Sequence, residues 1–345
     1  MERVRLGDPV DVDRLLRGKD FRADHPFRVS RRILGASTLD LEGSEHRNRK
    51  REWWAGFGKQ WADSATAKEM VNSAVADGIA HAQASSDLLQ GCVYIPNRIV
   101  LDLLGLRGVD PIEHYASLEP VIRTLGGFSE PKERLAQSRE YIRRVAREVT
   151  VPLFSDLPDA ARSAELALFL IAGAETTVVA LKVITVAWWN DAAAVMDDVR
   201  HAGSRNVVMR LLTRDAPLGV TTRHASREVY FDKIGQIPRG ALVDVDLAEA
   251  SLLSAVDETD ARRSSQSYVF GAGAHRCPGD RLAMLEAEAY LEGLLRLDAS
   301  KYVPVAASEP RSSTFRHPTW QALTRTTSSR ADSEETVAVG QCTQS

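Results

Sequence analysis

The stretch Phe270-Gly271-Ala272-Gly273-Ala274-His275-Arg276-Cys277-Pro278-Gly279 carries the most specific chemistry in the sequence. A thiolate that ligates iron must be held near the metal while its charge is stabilised. Backbone N–H groups freed by glycine-rich geometry, followed by a helix N-terminus, can do both. Gly273 and Gly279 permit close backbone approach or positive φ. Phe270 can pack beside the sulfur and shield it from water, and His275 and Arg276 offer donors to carboxylates. The bland alternative is a glycine-rich turn around an inert buried cysteine, and ten positions in register argue against it.

Two further strings could complete such a site. Ala172-Gly173-Ala174-Glu175-Thr176-Thr177 lies inside a long apolar run. Small residues there leave room for a ligand against a helix, and a hydroxyl beside the gap can hydrogen-bond a ligand oxygen and open the helix ladder. A helix–helix contact through small residues is the competing reading. Glu45-His46-Arg47-Asn48-Arg49-Lys50-Arg51 precedes Trp53 and Trp54. It is either an anion-binding helix start or a solvated basic face.

The elements that must position these residues are mostly helical. Asp11–Arg17 predicts a short helix with Val12, Leu15 and Leu16 on one side. Glu45 to Trp61 predicts another, basic and then aromatic. Pro131 to Val149 has Leu135, Tyr141, Ile142 and Val145 at helical spacing, with Glu140 and Arg143 as a surface pair. Pro158-Asp159 opens a long apolar helix to about Trp189, and Asp280 to Leu297 predicts a helix after the cysteine loop. Strand character is confined to Leu218–Tyr230 and Ile237–Val245. Residues 1–323 therefore read as one mainly α domain with a minor β component, and the composition of residues 324–345 predicts a disordered tail.

The 345 residues are 44% hydrophobic and 26% charged, enough for a large core, and the net charge of −3 is too small to mark nucleic acid as a partner. Cys92, Cys277 and Cys342 form no zinc pattern and fit a reducing, cytoplasmic setting. Leu166 to Trp189 is apolar enough to suggest a membrane span. Glu175 and Lys182 lie within it, so a buried helix with no membrane partner is the better expectation.

The cysteine loop resembles the haem-binding loop of the cytochrome P450 family, Phe-x-x-Gly-x-His-x-Cys-x-Gly. The resemblance implies a single domain with a long central helix and a haem b whose iron is ligated by Cys277. It extends over roughly residues 10 to 320. Ala172 and Gly173 match the family's distal helix, where Thr176 would assist proton delivery to dioxygen and Glu175 would feed the relay. His46 matches a propionate-binding histidine, with Lys50 standing where the family usually has arginine. Arg223 and His275 would supply further propionate contacts. Phe270, Gly273 and Gly279 complete the cofactor-binding set, and Ile237-Pro238-Arg239-Gly240 matches the family's Ile-Pro-x-Gly turn.

Two features depart from that pattern. Arg210 fits the family's Glu-x-x-Arg helix, but Val207 occupies the glutamate position, which would strand a buried arginine. The helix and two strands that usually precede the segment like Asp11–Phe21 are not evident, and the chain between Gly126 and Pro158 is short.

The resemblance implies monooxygenase-type oxidation of an apolar small molecule, as in secondary metabolism, with electrons from separate ferredoxin- and reductase-type proteins docking near Arg276 and Arg281. A non-oxygenating isomerisation, dehydration or cyclisation is the alternative, with His46–Arg51 binding an anionic or diphosphate substrate. A third reading is a non-catalytic haem or ligand binder. Asp197-Asp198 reads as solvated rather than as a metal site.

Overall fold

A computed structural model describes residues 2–25, 27–256, 267–306, 312, 314–318 and 320–325. The chain enters through strand β1 (Arg3–Leu6) and helix α1 (Pro9–Arg17). Asp8 caps α1 by accepting from the N–H groups of Val10 and Asp11, and Pro9 fills the first turn, where no N–H is needed. Val12, Leu15 and Leu16 form its buried stripe. Strand β2 (Phe21–Arg22) and α2 (Val29–Leu34) lead to α3 (Gly43–Phe57), which ends at Gly58 and restarts as α4 (Lys59–Ala62). The expected helix to Trp61 is therefore two helices.

The helices α5 (Ala65–Ala84), α6 (Leu88–Leu103), α7 (Pro111–Leu125) and α8 (Lys132–Glu148) follow. In α8 the stripe Ser138, Ile142, Val145 and Ala146 is buried, while Glu140 and Arg143 pair at 3.2 Å on the outside. The long apolar run forms α9 (Asp159–Ala172) and α10 (Glu175–Asn190), interrupted at Gly173-Ala174 rather than continuous. By length and composition it could cross a membrane, and 78% of its most apolar window is buried inside the protein.

Helices α11 (Ala192–Ala202) and α12 (Ser204–Arg214) lead to strands β3 (Val220–Ala225), β4 (Val229–Phe231), β5 (Gly235–Ile237) and β6 (Leu242–Asp246). After α13 (Leu247–Val256) and the cysteine loop come α14 (Asp280–Leu294), β7 (Tyr302–Ala306) and β8 (Trp320–Arg325). The four-stranded sheet runs β1-β6-β3-β2, with β1 parallel to β6 and the other pairs antiparallel. β1 thus supplies sheet structure ahead of α1 that no local residue pattern predicts. β8 also keeps Thr324 and Arg325 in a strand; residues 326–345, the rest of the expected tail, lie outside the described residues.

Two cores result. The larger packs α3 and α5–α12 against α14, with Trp188, Tyr290, Phe57 and Ile95 among its fully buried side chains. The smaller joins the sheet to α1 and α13 through Leu15, Phe231, Val243 and Tyr268. The cysteine loop lies where the two meet.

The Glu-x-x-Arg expectation is corrected here. Arg210 is exposed on α12 and pairs with Asp198 of α11 at 2.7 Å, while Val207 is buried in the larger core. No buried arginine is stranded, because that face of the helix is turned to solvent. Asp197 lies 3.5 Å from His201 and is also exposed.

Candidate functional site

Several bonds fix the cysteine loop. The Cys277 N–H donates to the Phe270 carbonyl at 2.8 Å, the Gly271 N–H to the Tyr268 carbonyl at 2.8 Å, and the Tyr268 hydroxyl to the Pro9 carbonyl at 2.8 Å. Gly273 has φ of +66°, and a Cβ there would stand 2.2 Å from the Leu16 carbonyl oxygen. Glycine is therefore required for the loop to rest on the end of α1.

Cys277 opens onto a cavity of about 250 Å³. Its walls are Phe270, Leu282 and Ala283 on the cysteine side, and Phe169, Ala172, Gly173 and Thr176 on the α9–α10 side. Burial pushes the Cys277 thiol up to about 11, opposed by the Gly279 N–H and by the charges of Lys50 and Arg276.

The break between α9 and α10 gives the opposite wall its shape. Ala172 is exposed to the cavity, and the Thr176 hydroxyl donates to the Ala172 carbonyl at 3.1 Å. Glu175 is fully buried but is not in the cavity wall. Its Oε1 lies 2.7 Å from His317 Nε2, while its Oε2 is buried with no partner among the described residues. Thr176 and Glu175 are thus neighbours in sequence on different sides of the helix.

At one end of the cavity His46, Arg223 and His275 converge. His46 and His275 have ring centroids 4.2 Å apart. Nε2 of His46 is buried with no partner, and burial lowers its pKa to about 4. Arg223 donates to Thr221 Oγ1 and the Thr222 carbonyl, each at 3.0 Å, and has no carboxylate partner among the described residues. Burial, with the nearby charge of Arg28, lowers its pKa to about 9. His275 lies 3.3 Å from Glu42. A buried guanidinium with no carboxylate bonded to it and an unbonded imidazole nitrogen in the lining of an apolar cavity suit an anionic group entering from the cavity. With Cys277 at the floor, the donor set fits a haem with its carboxylates toward His46 and Arg223.

Lys50 is bonded to the cysteine loop. Its Nζ donates to the Ala274 carbonyl and, at 2.6 Å, to the Arg276 carbonyl, so it holds the cysteine loop itself. Burial lowers its pKa to about 8.

Two buried acids, Glu165 and Glu286, and the half-buried Glu42 escaped the sequence reading. Glu165 of α9 accepts from Thr38 N–H and hydroxyl (2.7 Å each), Trp53 Nε1 (2.8 Å) and Arg49 (3.1 Å), tying α3 to α9. Glu42 accepts the Ala23 N–H at 2.6 Å. Glu286 lines the cavity on α14 with Oε2 unpartnered, and burial raises its carboxyl to about 8. An acid in the buried stripe Leu282, Glu286, Tyr290 was the one available signal for the last of these.

No protein-family model matches the sequence, and no curated protein matches it. Solved structures do match the fold. The chain is similar to P450BioI in complex with an acyl carrier protein ligated to hexadec-9Z-enoic acid (16% identity, TM-score 0.76), covering 93% of this chain and 92% of that one. It is similar to a 6-coordinated cytochrome P450 from Thermus thermophilus (16%, 0.76, 93% and 91%). It is also similar to the P450 RauA complexed with a biosynthetic intermediate of aurachin RE (20%, 0.73, 93% and 90%). The chain has the cytochrome P450 fold.

Proposed function

We propose that this protein is a haem-thiolate enzyme that oxidises an apolar small molecule with dioxygen, in a biosynthetic setting. The observation that carries the reading is that Cys277 and the Gly173–Thr176 break line one apolar cavity, which also holds the Arg223 guanidinium and the unpartnered His46 Nε2. When bound, haem would supply two-electron activation of dioxygen: one oxygen atom enters the substrate and the other leaves as water, consuming two electrons and two protons. Cys277 would hold the iron, while His46, Arg223 and His275 would hold the propionates. Thr176 would present its hydroxyl at the cavity wall and pass a proton inward. Phe169, Leu168 and Leu218 would orient an apolar substrate and exclude water. The biosynthetic setting leans on RauA, whose structure holds a biosynthetic intermediate.

A second reading is favoured by one observation: Glu175 is engaged by His317 and stands outside the cavity wall. In that reading the pocket would serve a non-oxygenating isomerisation, dehydration or cyclisation. Haem-loaded protein supplied with a surrogate ferredoxin and reductase, apolar candidate substrates and labelled dioxygen separates the two. One labelled oxygen atom per product supports the oxidation; turnover without reductant or peroxide supports the second reading and overturns the first.

A further inference from the structure

Lys50 sits on α3, is 4% exposed, and has no carboxylate partner among the described residues. A buried ammonium is costly unless its three hydrogens are taken up and its charge is balanced. Two of its acceptors are the carbonyls of Ala274 and Arg276, which lie on either side of His275 and just ahead of Cys277. The face of the Trp54 ring is 5.2 Å from Nζ, a cation–π distance. No carboxylate among the described residues forms an ion pair with it; the Cys277 sulfur, which lines the same cavity, is the foremost negative group acting on it, with Asp280 the lesser one.

We propose, resting on the haem-thiolate reading, that Lys50 is a positioning residue for the Cys277 thiolate and not a propionate ligand. Its two carbonyl bonds hold the loop at the height that presents Sγ to the cavity. Its fixed positive charge beside the sulfur stabilises the thiolate and favours the more negative, reduced state of the site. His46, Arg223 and His275 are left to anchor the propionates. The lysine suits this task because a single flexible stem carries a point charge to two adjacent carbonyls, whereas the planar fork of arginine suits a carboxylate.

The test compares Lys50→Met, Lys50→Gln and Lys50→Arg with His46→Ala and Arg223→Ala in the haem-loaded protein. The readouts are midpoint reduction potential, the reduced carbon monoxide band, and the rate of haem transfer to an apo-haem acceptor protein. Lys50→Met and Lys50→Gln are expected to move the potential to more negative values while the haem-transfer rate stays within about threefold of wild type. Lys50→Arg, which keeps the charge, is expected to restore most of the shift. His46→Ala and Arg223→Ala are expected to speed haem transfer by about tenfold or more, the loss of a charge-assisted bond. Lys50→Gln keeps a donor for the loop, so it guards against a folding failure of Lys50→Met. A wild-type thiolate band with an unmoved potential in both neutral variants overturns the proposal alone. So does a haem-transfer rate in Lys50→Met and Lys50→Gln equal to that of Arg223→Ala. Absence of a thiolate band in wild type overturns the haem reading and this proposal together.

Discussion

Glu175 Oε1 lies 2.7 Å from His317 Nε2, joining the first residue of α10 to the chain between β7 and β8. The carboxylate is fully buried, while a third of the histidine side chain is exposed. His317→Ala would take away the partner of Oε1 while Oε2 is already without one, and a buried acceptor that loses a partner costs about 1–3 kcal/mol. A urea midpoint should fall accordingly. An unchanged midpoint would show that the pair contributes nothing to the fold.

Thr176, one residue on, faces the cavity and not the acid. Thr176→Ala should therefore leave haem binding intact and lower the product formed per electron consumed, with the difference appearing as peroxide or water. Product yield per electron equal to wild type would remove Thr176 from proton delivery.

Glu165 of α9 accepts four bonds, two from Thr38 and two from α3 through Trp53 and the buried Arg49. Arg49 retains Glu45, which is exposed, and the Ala36 carbonyl. Glu165→Ala leaves a buried guanidinium short of its inner counter-ion and should destabilise by about 3–5 kcal/mol. Pairing Glu165→Leu with Arg49→Met removes both charges and should recover much of that loss, as a double-mutant cycle would read. Equal losses in the single and double variants would contradict the pairing.

Glu286 gives a pH dependence of defined sign. Its carboxyl goes from an ordinary value of 4.5 in the unfolded chain to about 8 in the fold, because burial penalises the ionised form. The folded state thus holds the proton more tightly. Its contribution is complete below about pH 4.5 and is lost as pH rises through about 8. Glu286→Gln should match wild type near the lower limit and exceed it in stability near the upper, by on the order of 2–4 kcal/mol. Denaturant titrations at the two pH values check this; a difference independent of pH would mean that Glu286 ionises freely in the fold.

How much of this was readable beforehand depended on how locally each feature is determined. The cysteine loop was legible because Gly273, His275 and Cys277 sit at fixed offsets within ten residues, and Gly273 has a conformation and a close approach that need glycine. Helices α1, α8 and α14 were legible from their apolar spacing. The interruption at Gly173-Ala174 was not, because the apolar pattern runs through it without a proline. The destination of Lys50 was not legible either: a four-carbon stem on α3 reaches the loop carbonyls as easily as the cavity. Arg210 looked stranded only if its helix face was buried, and the face was set by how α11 and α12 pack. β1 is four residues long, and its pairing with β6, more than 200 residues away, leaves no local pattern. Glu165 and Glu286 were hidden for a similar reason, since a lone acid in a helix is usually solvated.

The central claim is that Cys277 ligates a haem iron. Wild-type protein and Cys277→Ala, each supplied with haem, should be reduced and exposed to carbon monoxide, and their difference spectra recorded. Wild type should give the long-wavelength band of a thiolate-ligated haem, and Cys277→Ala should lose that band. A wild type without bound haem, or a Cys277→Ala spectrum identical to wild type, would contradict the account.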